Sequence, residues 1–178
     1  MRCLAIVGLA VAAIAAGCGR ETPAAGACSA ATVPEPVAQE LPAPVAQARQ
    51  RILDAAVACD YATLEEIARE GNEAFTFSFG GGPSPSAYWE RLEASGDRPL
   101  ASLVTVLGLS STLVDGRIHA WPAAHGEGAT DDDWQAVVDA GLLTESEADA
   151  MRSQGSGYLG WRVGIAAYGE WLFFVAGD

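Results

Sequence analysis

The carboxyl end of the chain constrains the fold most strongly. Residues 160–175 read G-W-R-V-G-I-A-A-Y-G-E-W-L-F-F-V, two apolar runs around Ala167–Glu170. This pattern predicts a β-hairpin in which Gly169 supplies the positive φ of the turn. Both faces of the hairpin are apolar, so we expect both to be covered and the hairpin to be central. The predicted pairs are Ile165 with Leu172, Val163 with Phe174, Ala166 with Trp171 and Gly164 with Phe173.

Helical signals dominate the region before the hairpin. Apolar residues from Val45 to Cys59 recur with the helical period, and a second helix is predicted from Thr63, with Glu66 as its capping box, to Gly71. Further helix starts are predicted at Ser84-Pro85, Pro99, Thr130 and Thr144.

Strand signals complete the pattern. Phe75–Phe79 alternates strictly between aromatic and polar residues, which predicts a half-buried strand. Asp115-Gly116 lies between two strand-like runs and predicts a tight hairpin turn. We therefore expect an α+β fold over residues 45–178. It is a single small domain with N-terminal helices packed on an antiparallel sheet that ends in the C-terminal β-hairpin.

The amino terminus has the pattern of a targeting segment. Arg2 precedes an uncharged apolar run, Leu4–Ile14, and small residues lead to Cys18. The sequence Ala15-Ala16-Gly17-Cys18 resembles the lipobox of bacterial lipoproteins, although that family prefers leucine where Ala15 stands. The resemblance implies that residues 1–17 are a signal peptide, that Cys18 is acylated, and that the protein is anchored to a membrane in the cell envelope. With Gly19 next, it implies the outer membrane in a cell with two membranes. The alternative is an ordinary signal cut after Ala15.

Residues 18–44 have the composition of a tether. They contain five of the nine prolines and no aromatic residue, so they carry too little apolar surface to form a core. An extended segment of this length reaches roughly 80 Å at about 3.1 Å per residue. The segment includes Cys28, and the next cysteine is Cys59. In an oxidising compartment these two are either bridged or separate, with Cys59 packed as a buried thiol.

Composition excludes several functions. The chain has 23 acidic residues against 10 basic ones, a net charge of −13, and its basic residues are all arginine. Phosphate backbones repel such a chain, so nucleic acid is not an expected partner. The absence of lysine excludes Schiff-base chemistry. The expected partners are a membrane through the lipid on Cys18, and an envelope protein or a small-molecule ligand; no cofactor or metal is expected.

No motif in the sequence specifies a reaction. Cys59 lies at a helix carboxyl end, where the dipole opposes a thiolate. His119 and His125 lack a third zinc ligand, and Asp131–Asp133 are explained by helix capping. Arg162 is either a rim residue or a buried charge. The three candidate residues for a pocket are Asp115, His119 and Arg162.

Two resemblances concern the domain itself. The ending Trp161–Ile165 and Trp171–Asp178, the strand Phe75–Gly80 and the pair Tyr88-Trp89 are similar to a group of secreted bacterial proteins of unassigned function. Two helices followed by strands are more distantly similar to the ketosteroid-isomerase-like fold. The sequence therefore favours a non-catalytic ligand- or protein-binding module. The alternative is a small enzyme with a ketosteroid-isomerase-like pocket.

Overall fold

The computed structural model describes residues 28–34, 36, 38–71 and 74–177. The expected signal peptide and the expected acylation site Cys18 lie outside these residues. The described part is an α+β fold, as expected, with helices packed on one antiparallel sheet. The helices are α1 (Ala43–Val57), α2 (Tyr61–Arg69), α3 (Pro85–Ser95), α4 (Pro99–Gly108), α5 (Asp131–Asp139) and α6 (Glu145–Gln154), and the strands are β1 (Thr112–Val114), β2 (Ile118–Trp121), β3 (Arg162–Ala166) and β4 (Trp171–Val175). Short 3₁₀ helices occupy Ser29–Thr32 and Ala123–His125.

The sheet has the order β1-β2-β3-β4. Asp115 and Gly116 form the first turn with φ values of 51° and 67°, and Gly169 lies in the second turn with a φ of 97°. The predicted hairpin pairs of Val163 and Gly164 are confirmed. The pairs predicted for Ile165 and Ala166 are wrong, because a bulge after Gly164 places Ile165 opposite Trp171. Local alternation does not indicate where a strand takes up an extra residue.

The strand predicted at Phe75–Phe79 is also wrong as an extended strand. Among the described residues of this segment, Thr76 alone forms a bridge, parallel to Phe173. Its backbone N–H donates to Leu172 and its carbonyl accepts from Phe174, both at 3.0 Å. The segment therefore covers the outer edge of β4, so β4 does not present that edge to solvent.

Helix ends mostly follow the local signals. Thr130 and Thr144 each form a complete capping box, and α3 begins after Ser84 and ends at Gly96 in the left-handed conformation. The predicted start of α2 is wrong. Asp60 is the N-cap, and its carboxylate accepts from the backbone N–H of Thr63 at 3.0 Å.

Helices α1 and α4 cover one face of the sheet and enclose an aromatic core. Trp89 is fully buried and its ring stacks on Trp171 with centroids 5.8 Å apart. Phe75 lies against both rings, and Phe174 stacks on Trp161 at 4.6 Å. Burial of several aromatic side chains is the main stabilising contribution available to a domain of this size.

The described residues of the segment assigned to the tether, 28–34, 36 and 38–44, are part of the folded domain. Cys28 and Cys59 form a disulfide with their α-carbons 5.7 Å apart, and Ala30 is fully buried. The backbone N–H and hydroxyl of Ser29 donate to Glu93, and Ser29 Oγ accepts from the N–H of Ala101. The boundary at residue 44 is therefore wrong for the described residues. The composition of this segment indicated that it has too few apolar side chains to form a core of its own. It packs instead on a core that other elements form.

A buried polar network fixes the rest of this segment. Arg49 Nε and Nη2 donate to the carbonyl of Leu107 at 3.0 and 2.8 Å. The side-chain amide of Gln39 donates to Leu107 and Leu109, and its oxygen accepts from the indole N–H of Trp121 at 3.0 Å. Burial lowers the pKa of Arg49, while the carboxyl end of α4 offers carbonyls that favour a cation. The network joins Gln39 to α4 and β2, and Arg49 of α1 donates to the same Leu107 carbonyl.

Candidate functional site

The three residues expected to share a pocket lie apart. Asp115 is exposed in the β1–β2 turn. His119 pairs with Ile165, and residues opposite each other in a sheet share a face. Arg162 is three residues from Ile165 on the same strand, so its side chain belongs to the opposite face. The structure therefore does not bring Asp115, His119 and Arg162 together.

Arg162 is a buried charge, not a rim residue. Its side chain is 9% exposed, and it donates to the carbonyls of Gly160 at 3.3 Å and Gly177 at 2.7 Å. The guanidinium carbon lies 5.7 Å from the centre of the Phe79 ring, a cation–π distance. These contacts hold the arginine at the end of the sheet where β3 begins and β4 ends.

His125, which the sequence offered only as a weak zinc ligand, is the histidine near Arg162. Its ring meets Phe173 edge-on, with centroids 6.2 Å apart. Burial and, secondly, the charge of Arg162 lower the pKa of His125. A neutral imidazole beside a fixed cation suits a packed sheet face, and it leaves His125 a poor proton donor at neutral pH.

Two grooves of similar size open on other parts of the surface. One, of about 310 Å³, lies between α1 and the residues Val33 and Pro36. The other, of about 350 Å³, lies between the end of α2, the segment around Phe75 and the start of α3. None of the three candidate residues lines either groove. Within the described part of the chain, no group of three or more His, Cys, Asp or Glu side chains is placed to hold a metal ion.

The turn end of the sheet carries an exposed aromatic side chain. Tyr168, in the β3–β4 turn, is 64% exposed. It borders a small depression with Arg117, Ile118 and Leu172. The N–H of Ala167 donates to the carbonyl of Arg117 at 2.8 Å, so the two hairpin turns are tied together. The predicted hairpin indicated that Tyr168 is at a turn, but gave no indication that a neighbouring turn would lie beside it.

The same turn lies against the beginning of α1. A Cβ placed on Gly169 would come within 2.9 Å of the carbonyl oxygen of Pro44, and the φ of Gly169 is positive. Glycine is therefore required here both by the turn and by the close approach. The turn end of the sheet and the amino end of α1 are at the same end of the molecule.

Sequence reasoning missed the residues that hold the amino-terminal segment. Arg49 follows the helical period of its apolar neighbours Ala48, Ile52 and Leu53, so an arginine at a core position was the available signal. Ser29 and Glu93 are 64 residues apart and carry no local signal at all.

Searches for similar proteins find no match among family models, curated proteins or solved structures. No helix in the described ranges is long and apolar enough to cross a membrane.

Proposed function

We propose that the chain is a lipid-anchored envelope protein whose domain binds another envelope protein without catalysis. The observation that carries this proposal is the turn end of the sheet, where Tyr168 stands exposed beside Arg117. The anchor is supported by the residues that lead to Cys18, which resemble a lipobox.

The chemistry of the turn end supports protein binding. Tyrosine and arginine are enriched at the energetically important positions of interfaces, where a ring supplies area and a guanidinium supplies directed hydrogen bonds. Ile118 and Leu172 add half-buried apolar surface between them. The depression is about 40 Å³, too small to enclose a small-molecule ligand, whose sites are typically hundreds of Å³. A protein surface suits this shape better than a small molecule.

An enzymatic function has less support. A ketosteroid-isomerase-like mechanism needs an acid or base aimed into an apolar cavity. Asp115 is exposed, His119 and Arg162 are on opposite faces of the sheet, and His125 is packed against Phe173.

Site-specific photo-crosslinking in cells tests the binding proposal. A photoreactive benzophenone amino acid replaces Tyr168 in one strain and Gln135, an exposed residue of α5, in another. We expect one discrete cross-linked product from position 168 and not from position 135. Arg117→Glu should weaken that product, whereas Arg98→Glu, the same charge change at another exposed site, should not. Identical patterns from positions 168 and 135 would refute the proposed surface.

Mass spectrometry of the native amino terminus tests the anchor. We expect the mature chain to begin at Cys18 with added acyl mass and to partition with membranes. A Cys18→Ser variant should lose both properties. An unmodified terminus at Cys18 or at Ala16 would contradict the anchor. The crosslinking experiment would still test the proposed binding surface.

A further inference from the structure

We propose that one end of the domain contacts the lipid bilayer directly. We call this end, which consists of the carboxyl end of α1, the Cys28–Cys59 disulfide, Val33 and Pro36, the bridge end. The proposal rests on the proposed lipid anchor at Cys18 and adds an orientation and a lipid-contacting surface to it.

Covalent distance is the first argument. The disulfide and the contacts of Ser29 fix the chain to the domain at Cys28, ten residues after Cys18. Ten fully extended residues span at most about 35 Å. A domain of this length has a radius of gyration of about 15 Å. The anchor point on the domain therefore stays within about one domain diameter of the bilayer, not at the roughly 80 Å that a 27-residue tether would allow.

The surface chemistry of the bridge end is the second argument. The groove beside the disulfide is lined by Val33, Pro36, Leu53, Val57 and Ala58, with Gln50 and Asp54 as its polar lining. Val57 is 40% exposed, one of the few large apolar side chains so exposed in the described residues. Apolar side chains with a polar rim match the boundary between headgroups and acyl chains.

The charge of this end selects the kind of lipid. Among the residues that the structure describes, the groove lining contains an aspartate and no arginine, within a chain of net charge −13. Anionic headgroups repel such a surface, so the expected partner is a zwitterionic lipid surface. The contact can be weak, because a short tether holds the domain at a high effective concentration next to the bilayer.

The direction of α1 makes this orientation compatible with the proposed protein-binding surface. The helix has 15 residues and is therefore about 22 Å long. Cys28 Sγ lies 3.8 Å from the carbonyl oxygen of Ala56 near its carboxyl end, whereas Gly169 meets Pro44 at its amino end. With the bridge end on the bilayer, the turn end carrying Tyr168 faces away from it.

The absence of lysine makes a direct test available. Ala62→Lys, three residues after Cys59, and Ala167→Lys, in the β3–β4 turn, each introduce the sole side-chain amine of the chain. Both positions are exposed. Each acylated protein is labelled with an amine-reactive fluorophore and reconstituted in phosphatidylcholine vesicles that contain a nitroxide-labelled lipid. The lysine-free protein, labelled in parallel, corrects for reaction at the terminus.

We expect the fluorophore at position 62 to be quenched several-fold more than the one at position 167. Val57→Asp, in the Ala62→Lys background, should remove most of this difference. Gln47→Asp is the matched control, since it adds the same charge at an exposed position ten residues earlier on α1 and should leave the quenching unchanged. Replacing part of the lipid with phosphatidylglycerol should also reduce the quenching at position 62.

Equal quenching at positions 62 and 167 in protein whose acylation is verified by mass spectrometry would overturn the proposed orientation and leave the anchor intact. Equal effects of Val57→Asp and Gln47→Asp would overturn the lipid-contacting surface. Absence of the acyl group would overturn the anchor and this proposal with it.

Discussion

Removal of the Cys28–Cys59 disulfide should cost the domain a large part of its stability. The bridge joins residues 31 apart in sequence. In the chain-entropy model, closing a loop of this length removes entropy from the unfolded chain equivalent to roughly 3.7 kcal/mol at 25 °C. The free energy of unfolding of a domain of this size is about 5–15 kcal/mol, so the loss is a quarter of that free energy or more. For a domain of about 150 residues, such a loss lowers the Tm by roughly 7–15 °C.

The assay is urea unfolding of a Cys28→Ser, Cys59→Ser double variant against its parent, both with Cys3 and Cys18 replaced by serine so that no other thiol competes. Cys59 has a φ of 56°, a left-handed conformation that costs about 1–2 kcal/mol for residues other than glycine. A second variant with Cys59→Gly should therefore recover about 1 kcal/mol or more, a gain that is independent of the bridge. A loss below about 1 kcal/mol in the Ser variant, the scale of an ordinary substitution, would refute the reasoning. The contacts of Ser29 and Ala30 would then hold the segment by themselves.

Three further predictions concern the folded domain. A chain of residues 44–177 should unfold at lower urea than one of residues 28–177, because it lacks a segment that covers the core and part of the buried polar network. Gly164→Ala should destabilise the domain by about 1–3 kcal/mol, because the new Cβ would stand 2.2 Å from the ring of a β4 phenylalanine, whereas Gly128→Ala, in open space, should be nearly neutral. The folded state lowers the pKa of His125, so unfolding takes up a proton below pH 6.5. Above that pH, His125 does not lower the free energy of unfolding. As the pH decreases below it, the free energy of unfolding falls, and His125→Gln should flatten this part of its pH dependence.

Each of these predictions has a distinct measurement. The truncation is judged by the midpoint and slope of urea unfolding, and equal midpoints would mean that residues 28–43 only rest on the surface. The two glycine variants are compared by thermal unfolding, and equal melting temperatures would contradict the close approach at Gly164. The histidine prediction is read from unfolding free energies between pH 5 and pH 7. A parallel profile in the variant would show that another group titrates.

Features set by a few neighbouring residues could be predicted from the sequence. The capping boxes at Thr130 and Thr144 each join residues within one stretch of four, so the local sequence alone specifies both hydrogen-bonding partners. The turn at Asp115-Gly116 and the glycine at 169 follow from the φ values that such turns require. The pairing of Val163 with Phe174 was also predicted, although the bulge after Gly164 changes the pairs nearer the second turn. Helix and strand content, and with it the α+β class, rest on this local chemistry.

Features that join distant parts of the chain were decided only in the folded structure. Ser29 donates to Glu93 and Arg49 to Leu107, at separations of 64 and 58 residues, and no local pattern links those pairs. The same holds for His125, which lies close enough to Arg162 for that charge to lower its pKa, whereas His119, which was predicted to share a pocket with Arg162, lies on the other face of the sheet. Periodicity reports which face of an element is apolar, but the partner of that face depends on the packing of the whole chain. An alanine- and proline-rich segment therefore has the composition of a tether, yet its described residues are folded, because their few apolar and polar groups pack on or bond to elements that come later in the sequence.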